Sequence, residues 1–167
     1  MKVWLKKNLK WFVLGAFVLL NLFIIAEACV PGVESGQQSS WVSEAAADAI
    51  NFFKPNTINQ TNWSVFDSAT RKLVGHYSLF LLDGIIGFAT FNLLLLKKPK
   101  YQIFIITIII GVLIAVLTET IQLVVPGRSG TLFDIGIDSL GYLTSTLVLF
   151  TIDSLVHISK TKKASLS

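Results

Sequence analysis

Four apolar segments, each close to twenty residues long, constrain this chain more than any other feature of its sequence. They run from about 11 to 30, 73 to 96, 103 to 125 and 135 to 157. A helix needs about 20 apolar residues to cross a hydrocarbon core of about 30 Å. The third segment is rich in β-branched residues, but its length favours a spanning helix over a strand. The sequence therefore predicts an all-α, multi-pass membrane protein, a four-helix transmembrane bundle forming a single domain over residues 1–167.

The composition agrees with a membrane protein and argues against several other classes. Hydrophobic residues make up 53% of the 167 residues and charged residues only 14%, whereas soluble domains carry about a quarter charged residues. These proportions argue against a soluble enzyme and against a disordered protein. The net charge of +4 comes from short basic blocks beside apolar segments, so we expect a lipid bilayer and no nucleic acid as partner. A single cysteine excludes a disulfide framework and a thiolate zinc site within one chain.

The basic residues are divided unequally between the two sides that the four segments define. Ten of the fourteen lie before the first segment, between the second and third, or after the fourth. The other side holds four, which are Lys54, Arg71, Lys72 and Arg128. The side richer in lysine and arginine faces the cytoplasm. We therefore expect a cell-membrane protein with both termini in the cytoplasm, and with the loop 31–70 and the turn 126–131 outside.

The first segment has two interpretations, which both stay open. Its basic start, apolar run and Ala26-Glu27-Ala28 are typical of a secretory signal peptide with a cleavage site. A lipoprotein site at Cys29 is disfavoured, because Glu27 is a poor neighbour and no leucine lies three residues before the cysteine. If the segment is retained, it is the first spanning helix. If residues 1–28 are removed, three spans remain with their direction unchanged.

The loop 31–70 contains a short amphipathic helix by its periodicity. Glycine and serine between 32 and 40 predict turns, and apolar residues then recur at helical spacing from 42 to 53. Such a helix is expected to lie on the outer leaflet, with Trp41 and Trp63 as interfacial anchors. The pattern is equally consistent with a lid packed over the bundle.

Polar residues inside the apolar segments carry the functional information, because they are costly in hydrocarbon and usually face a cavity or each other. At about 1.5 Å per residue, His76, Glu119 and Asp138 reach the same depth near the outer end of their segments, with basic residues just above them. We expect one ligand-binding cluster for an amphiphile with an anionic head group. Its predicted members are Arg71, Lys72, His76, Glu119, Gln122, Arg128, Asp134 and Asp138.

The cluster is also compatible with three other roles. It could only hold helices together, with Arg128 paired to Glu119 or Asp134. It could carry acid–base chemistry by His76, so whether the chain is an enzyme stays open. Its histidine and carboxylates are metal-ligand types, but no compact motif fixes a site, and we predict no metal and no cofactor. Asp83, deeper in its segment, is expected to be neutral and bonded to Asn92, Thr118 or a backbone carbonyl.

Three motifs resemble the VanZ-like family of small bacterial membrane proteins. They read Arg71-Lys72-Leu-Val-Gly-His76-Tyr77, Glu119-Thr-Ile-Gln122, and Pro126-Gly127-Arg128 followed by Phe133-Asp134-Ile-Gly-Ile-Asp138-Ser-Leu-Gly141. The resemblance covers residues 71–141. Ser78 stands where many relatives carry an acidic residue, which weakens any mechanism that needs a carboxylate beside His76.

The resemblance implies a multi-pass protein of the bacterial cell envelope. The named member of the family is associated with resistance to the lipoglycopeptide teicoplanin, so the expected role is glycopeptide antibiotic resistance or general envelope physiology. The expected ligand is a lipid-linked cell-wall precursor or a lipoglycopeptide. The alternatives are a membrane enzyme that modifies an envelope lipid or precursor, and a structural scaffold.

Overall fold

The computed structural model describes residues 2–164, and the side chains of residues 8–159. Five continuous helices and no strands occur in that part of the chain. The third helix contains a central π-helical stretch, which we call the π segment. The elements are α1 (Lys2–Ala28), α2 (Gly32–Phe53), α3 (Trp63–Thr70), the π segment (Arg71–Tyr77), α4 (Ser78–Leu94), α5 (Lys100–Gln122) and α6 (Leu132–Ala164).

Four of the described helices are long and apolar enough to cross a membrane, which confirms the predicted fold class. They cover Asn8–Ala28, Trp63–Leu94, Lys100–Gln122 and Leu132–Ser159. The second begins at Trp63, about ten residues earlier than the sequence indicates. The reason is that charged residues, Asp67 among them, lower the hydropathy of this first part. Their side chains line a cavity at the end of the bundle.

The distribution of apolar side chains is that of a protein surrounded by lipid. Large apolar side chains cover the outside of the bundle, and Leu19 and Leu113 are 68% and 58% exposed. A compact apolar core of Ile24, Phe80, Ala115 and Tyr142 lies between the helices. Exposed apolar surface of this extent marks a membrane-contacting protein.

Helices α4 and α6 approach each other closely because glycines lie at their contact. A Cβ atom on Gly141 would lie 2.3 Å from the carbonyl oxygen of Tyr77. On the facing helix, a Cβ on Gly84 would lie 2.6 Å from the carbonyl oxygen of Tyr142. Small residues permit such contact between transmembrane helices. The close approach brings the π segment against the first turns of α6.

Helix α1 packs into the bundle through polar and aromatic contacts. The Asn21 amide donates to Asp83 Oδ1 at 2.9 Å, and the Phe17 ring meets the Phe91 ring edge-on. The expected partners of Asp83 are therefore wrong, since its partner comes from another helix. Thr118 donates instead to backbone carbonyls of its own helix.

The loop 31–70 is more helical than the sequence indicates. The turns expected between 32 and 40 are the first part of α2, where Ser39 satisfies its hydroxyl by donating to the Ser35 carbonyl at 2.9 Å. The helix buries Ser43 and Ala47, whereas Trp41 is 67% exposed. One face of α2 therefore packs on the chain, as a lid would, while apolar side chains remain available for lipid.

Candidate functional site

A histidine and two carboxylates meet at the end of the bundle that holds the turn 126–131. His76 Nδ1 lies 3.1 Å from Asp138 Oδ1 and 3.8 Å from Glu119 Oε1. The three residues, which we call the triad, come from the π segment, α6 and α5. Glu119 is 2% exposed and Asp138 1%. The second carboxylate oxygen of Asp138 is buried and has no hydrogen-bond partner among the described residues.

Glu119 is held in place on both of its oxygens. Oε2 accepts from the Thr131 amide at 3.0 Å, and Oε1 accepts from Gln122 Nε2 at 3.0 Å. Gln122 in turn accepts from Arg128 Nε at 3.2 Å. Gln122 thus lies between Arg128 and Glu119, and in the described part of the chain Arg128 forms no ion pair with Glu119 or Asp134. The direct pairing considered from the sequence is therefore wrong.

Two arginines converge on one hydroxyl group. Arg128 Nη1 donates to Ser35 Oγ at 2.5 Å, and Arg71 Nη2 lies 3.4 Å from the same oxygen. No carboxylate of the described residues lies within 4.0 Å of either guanidinium. Burial, and then the neighbouring Arg71 charge, lower the pKa of Arg128 below its ordinary value. Arginine nevertheless stays protonated, because that ordinary value exceeds 12. We call Arg71 and Arg128 the arginine pair.

Lys72 and Asp134 neutralise each other at the start of α6. Lys72 Nζ lies 2.5 Å from Asp134 Oδ1. Thr131 Oγ1 donates to Asp134 Oδ2 at 2.8 Å and accepts from the Asp134 amide at 3.0 Å. An acidic residue and a threonine cap both stabilise a helix N-terminus. Asp134 therefore both supports the start of α6 and balances the charge of Lys72, whereas no carboxylate of the described residues pairs with the arginine pair.

The π segment presents three of the predicted residues. Its i→i+5 hydrogen bonding places Arg71, Lys72 and His76 on a widened helical turn, and the Ser78 hydroxyl donates to the Leu73 carbonyl at 3.0 Å. π-helical turns occur frequently at functional sites. Neither a proline nor any other feature of the sequence predicts this stretch.

The turn 126–131 is fixed against the start of α2, which explains how Ser35 reaches the arginines. Gly127 has a φ of +72°, a conformation that glycine adopts easily. The Gly32 amide donates to the Pro126 carbonyl at 3.0 Å, and a Cβ on Gly32 would lie 1.8 Å from the Gly127 carbonyl oxygen. Glycine at 32 therefore lets α2 pack directly on the turn.

A cavity of about 920 Å³ lies between α1, α2, the π segment and this turn. Its polar wall includes the arginine pair, His76 and Asp138. Its apolar wall is formed by Phe23, Ile24, Leu79 and Phe80, among others. The polar wall also carries acidic side chains, Glu27 and Asp67 among them. The cavity thus combines a wall of mixed charge with an apolar wall.

The structure brings all eight predicted residues to this end of the bundle. Seven of them line the cavity, and Glu119 lies behind the wall. The sequence interpretation missed Ser35 and Thr131. Thr131 had a signal, because Thr131-Leu-Phe-Asp134 matches the capping pattern that precedes an apolar helix. Ser35 had none, since its contact with Arg128 joins residues 93 positions apart.

A comparison with protein families identifies the chain. The family model described as VanZ/LLP1 matches residues 11–153. The chain belongs to the VanZ-like family. The match extends the resemblance beyond 71–141 to include most of α1 and all of α2. Together with the four spanning helices, it makes the chain a multi-pass VanZ-like membrane protein. Searches of curated proteins and of solved structures found no match.

Proposed function

We propose that this VanZ-like protein binds the anionic head group of an amphiphile in the cavity, with the arginine pair as the recognition element. The observation that carries the proposal is that Arg71 and Arg128 converge on Ser35 with no described carboxylate within ion-pair distance. The ligand class is a lipid-linked cell-wall precursor or a lipoglycopeptide such as teicoplanin. The physiological role is glycopeptide resistance or maintenance of the envelope.

The charge arrangement supports an anionic ligand. Two guanidinium groups that share one neutral acceptor repel each other, and after burial this repulsion is the next cause that lowers the pKa of Arg128. A phosphate or carboxylate relieves this repulsion, because its oxygens accept several hydrogen bonds in the planar geometry that guanidinium offers. Lys72 is a weaker candidate, since Asp134 already balances its charge.

The apolar wall supports a hydrocarbon portion in the same ligand. Phe23 and Ile24 of α1 face the cavity opposite Leu79 of α4. An acyl chain contacting these side chains would remain in an apolar environment while its head group reached the arginines. A small hydrophilic anion would leave this wall in contact with water, which is unfavourable.

The proposal includes an orientation in the membrane. Ten basic residues on the side of the termini, against four on the other side, support cytoplasmic termini by the positive-inside rule. The cavity then opens toward the outer leaflet, where cell-wall precursors and glycopeptides act.

Neutralising the arginines tests the proposal. With short-chain phosphatidic acid as probe and protein in detergent, Arg71→Gln and Arg128→Gln are each expected to weaken binding about tenfold, as loss of one charge-assisted hydrogen bond implies. Arg128→Lys should also weaken binding, because an ammonium lacks the planar guanidinium fork that offers two parallel hydrogen bonds to an anion. Lys54→Gln, which changes an exposed basic residue of the loop 31–70, is the control and should bind as wild type. Native mass spectrometry of the complexes gives the affinities.

The same variants are measured in cells for teicoplanin susceptibility and membrane abundance together. Lost resistance at normal abundance supports the head-group site. Unchanged probe binding in the Arg71→Gln, Arg128→Gln double variant contradicts it.

A second candidate function is a membrane enzyme that modifies an envelope lipid. The observation that favours it is the 3.1 Å contact between His76 Nδ1 and Asp138 Oδ1 on the cavity wall, since a carboxylate can orient a histidine as a general base. This candidate predicts a changed lipid or precursor species in cells with the wild-type protein and none with His76→Gln at equal abundance. Identical lipid profiles leave binding as the function.

A further inference from the structure

We propose that the triad of His76, Glu119 and Asp138 binds a divalent transition-metal ion, of the class of Zn²⁺ or Mn²⁺. One ligand atom from each residue lies within 4.8 Å of the others. The proposal departs from the sequence-based expectation of no metal, because equal depth in three segments does not show that their ligand atoms come close enough to share one ion. It involves neither arginine and does not depend on the head-group site.

The distances are close to those of a coordination sphere. Nitrogen and oxygen ligands about 2.1 Å from a tetrahedral ion lie roughly 3.4 Å from one another. His76 Nδ1 is 3.1 Å from Asp138 Oδ1 and 3.8 Å from Glu119 Oε1, so the separations fall on either side of that value. Side-chain shifts of a few tenths of an ångström would make both distances match.

The local charge favours a divalent ion. Glu119 and Asp138 are 2% and 1% exposed, and buried carboxylates that lack a compensating charge are costly. Apart from His76, no basic side chain of the described residues lies within 4.0 Å of either carboxylate. Lys72 is engaged by Asp134, and Arg128 reaches Glu119 through Gln122 rather than directly. A divalent ion would balance both carboxylates.

An independent observation comes from the oxygen atom Oδ2 of Asp138. It is buried and has no hydrogen-bond partner among the described residues, although buried polar atoms are nearly always bonded. A carboxylate oxygen is a hard donor that suits both Zn²⁺ and Mn²⁺. A metal ion bound by both carboxylate oxygens of Asp138 would satisfy this atom, which the side chains alone do not.

Neighbouring groups hold the proposed metal ligands in place, and the cavity gives an ion access to them. The Thr131 amide and the Gln122 side chain orient Glu119, as outer-shell groups do in metal sites. His76 and Asp138 line the cavity, so an ion could enter from it and keep a position open to a further ligand. Imidazole and carboxylate together favour Zn²⁺ or Mn²⁺ over Ca²⁺ or Mg²⁺, which prefer oxygen ligands alone.

The test uses the full-length protein in detergent, stripped with a chelator and titrated with ZnCl₂ or MnCl₂ alone. We expect one ion per chain by elemental analysis after desalting, and a higher melting temperature with the ion, because binding to the folded state stabilises it. Asp138→Asn and His76→Gln should each weaken binding by more than about 100-fold, because losing a ligand costs more than losing an outer-shell partner, which costs up to about 100-fold. Asp153→Asn, which removes a carboxylate paired with Lys100, is the control and should bind as wild type.

A second measurement keeps the test decisive if the variants do not fold. Diethyl pyrocarbonate modifies histidines, and bound Zn²⁺ should protect His76 in the wild-type protein while leaving His157 equally modified with and without the ion. Arg71→Gln, which removes a side chain bonded to Ser35 and to no residue of the triad, should retain metal binding, which separates this inference from the head-group proposal. A wild-type protein that binds no stoichiometric ion, or equal modification of His76 with and without Zn²⁺, overturns the proposal.

Discussion

Replacing Gly141 with alanine is expected to lower the free energy of unfolding by about 3 kcal/mol, the upper end of the range for overpacking. The added Cβ would lie 2.3 Å from the carbonyl oxygen of Tyr77 and 3.2 Å from the Leu81 amide nitrogen. Both atoms belong to the backbone, so no side chain can rotate to relieve the clash. Helices α4 and α6 must therefore move apart along their whole contact. Thermal unfolding in detergent measures the effect.

The control for this substitution lies in the same helix. A Cβ on Gly136 would meet nothing within 4 Å, and alanine favours helix over glycine by up to about 1 kcal/mol. Gly136→Ala should therefore unfold at the wild-type temperature or slightly above it. Equal melting temperatures for Gly141→Ala and Gly136→Ala would show that the close approach of α4 and α6 is not required.

The same substitution also reaches the site. Tyr77 directly follows His76, and Asp138 precedes Gly141 by three residues, so separating the two backbones lengthens the 3.1 Å contact between His76 and Asp138. We expect Gly141→Ala to weaken metal binding as well as to destabilise the fold. Helix packing and the geometry of the triad therefore both depend on the close contact at Gly141.

The parts of this structure that the sequence predicts are those set by local rules. Apolar length alone identifies the four spanning helices. A constant rise per residue places His76, Glu119 and Asp138 at one depth before anything is known about which helices are neighbours. The start of the second spanning helix near residue 63 is the exception. Charged residues that line the cavity lower the hydropathy there, so that hydropathy alone predicts a loop.

The features of the structure that the sequence does not predict are those that depend on which helices are neighbours. Asp83 is paired with Asn21, 62 positions away, and nothing local distinguishes that partner from Asn92. The insertion of Gln122 between Arg128 and Glu119 depends on where the turn directs the arginine. The π segment alters the faces on which Arg71 and His76 lie, and no residue of the stretch signals it.

Glu119→Ala is expected to destabilise the protein most, by about 3–5 kcal/mol, the range for breaking a buried charge interaction. The side chain is 2% exposed. Its removal leaves the Thr131 amide and the Gln122 side chain without their acceptor and opens a cavity beside His76. Glu44→Ala, at an exposed position of α2, is the control and should change stability by less than about 0.5 kcal/mol. Equal unfolding of the two variants would contradict a structural role for Glu119.

Glu119→Gln separates the structural role of this residue from its role as a ligand. Glutamine keeps the shape and one acceptor oxygen, so the Thr131 amide or Gln122 can still be satisfied, and we expect a smaller loss of stability than in Glu119→Ala. An amide is a poor metal ligand beside a carboxylate, so Zn²⁺ binding should fall while most of the protein stays folded. If Glu119→Gln binds Zn²⁺ as wild type does, Glu119 serves only to position the turn and α6. If it instead unfolds as Glu119→Ala does, the negative charge itself is what the neighbouring His76 and Arg128 require.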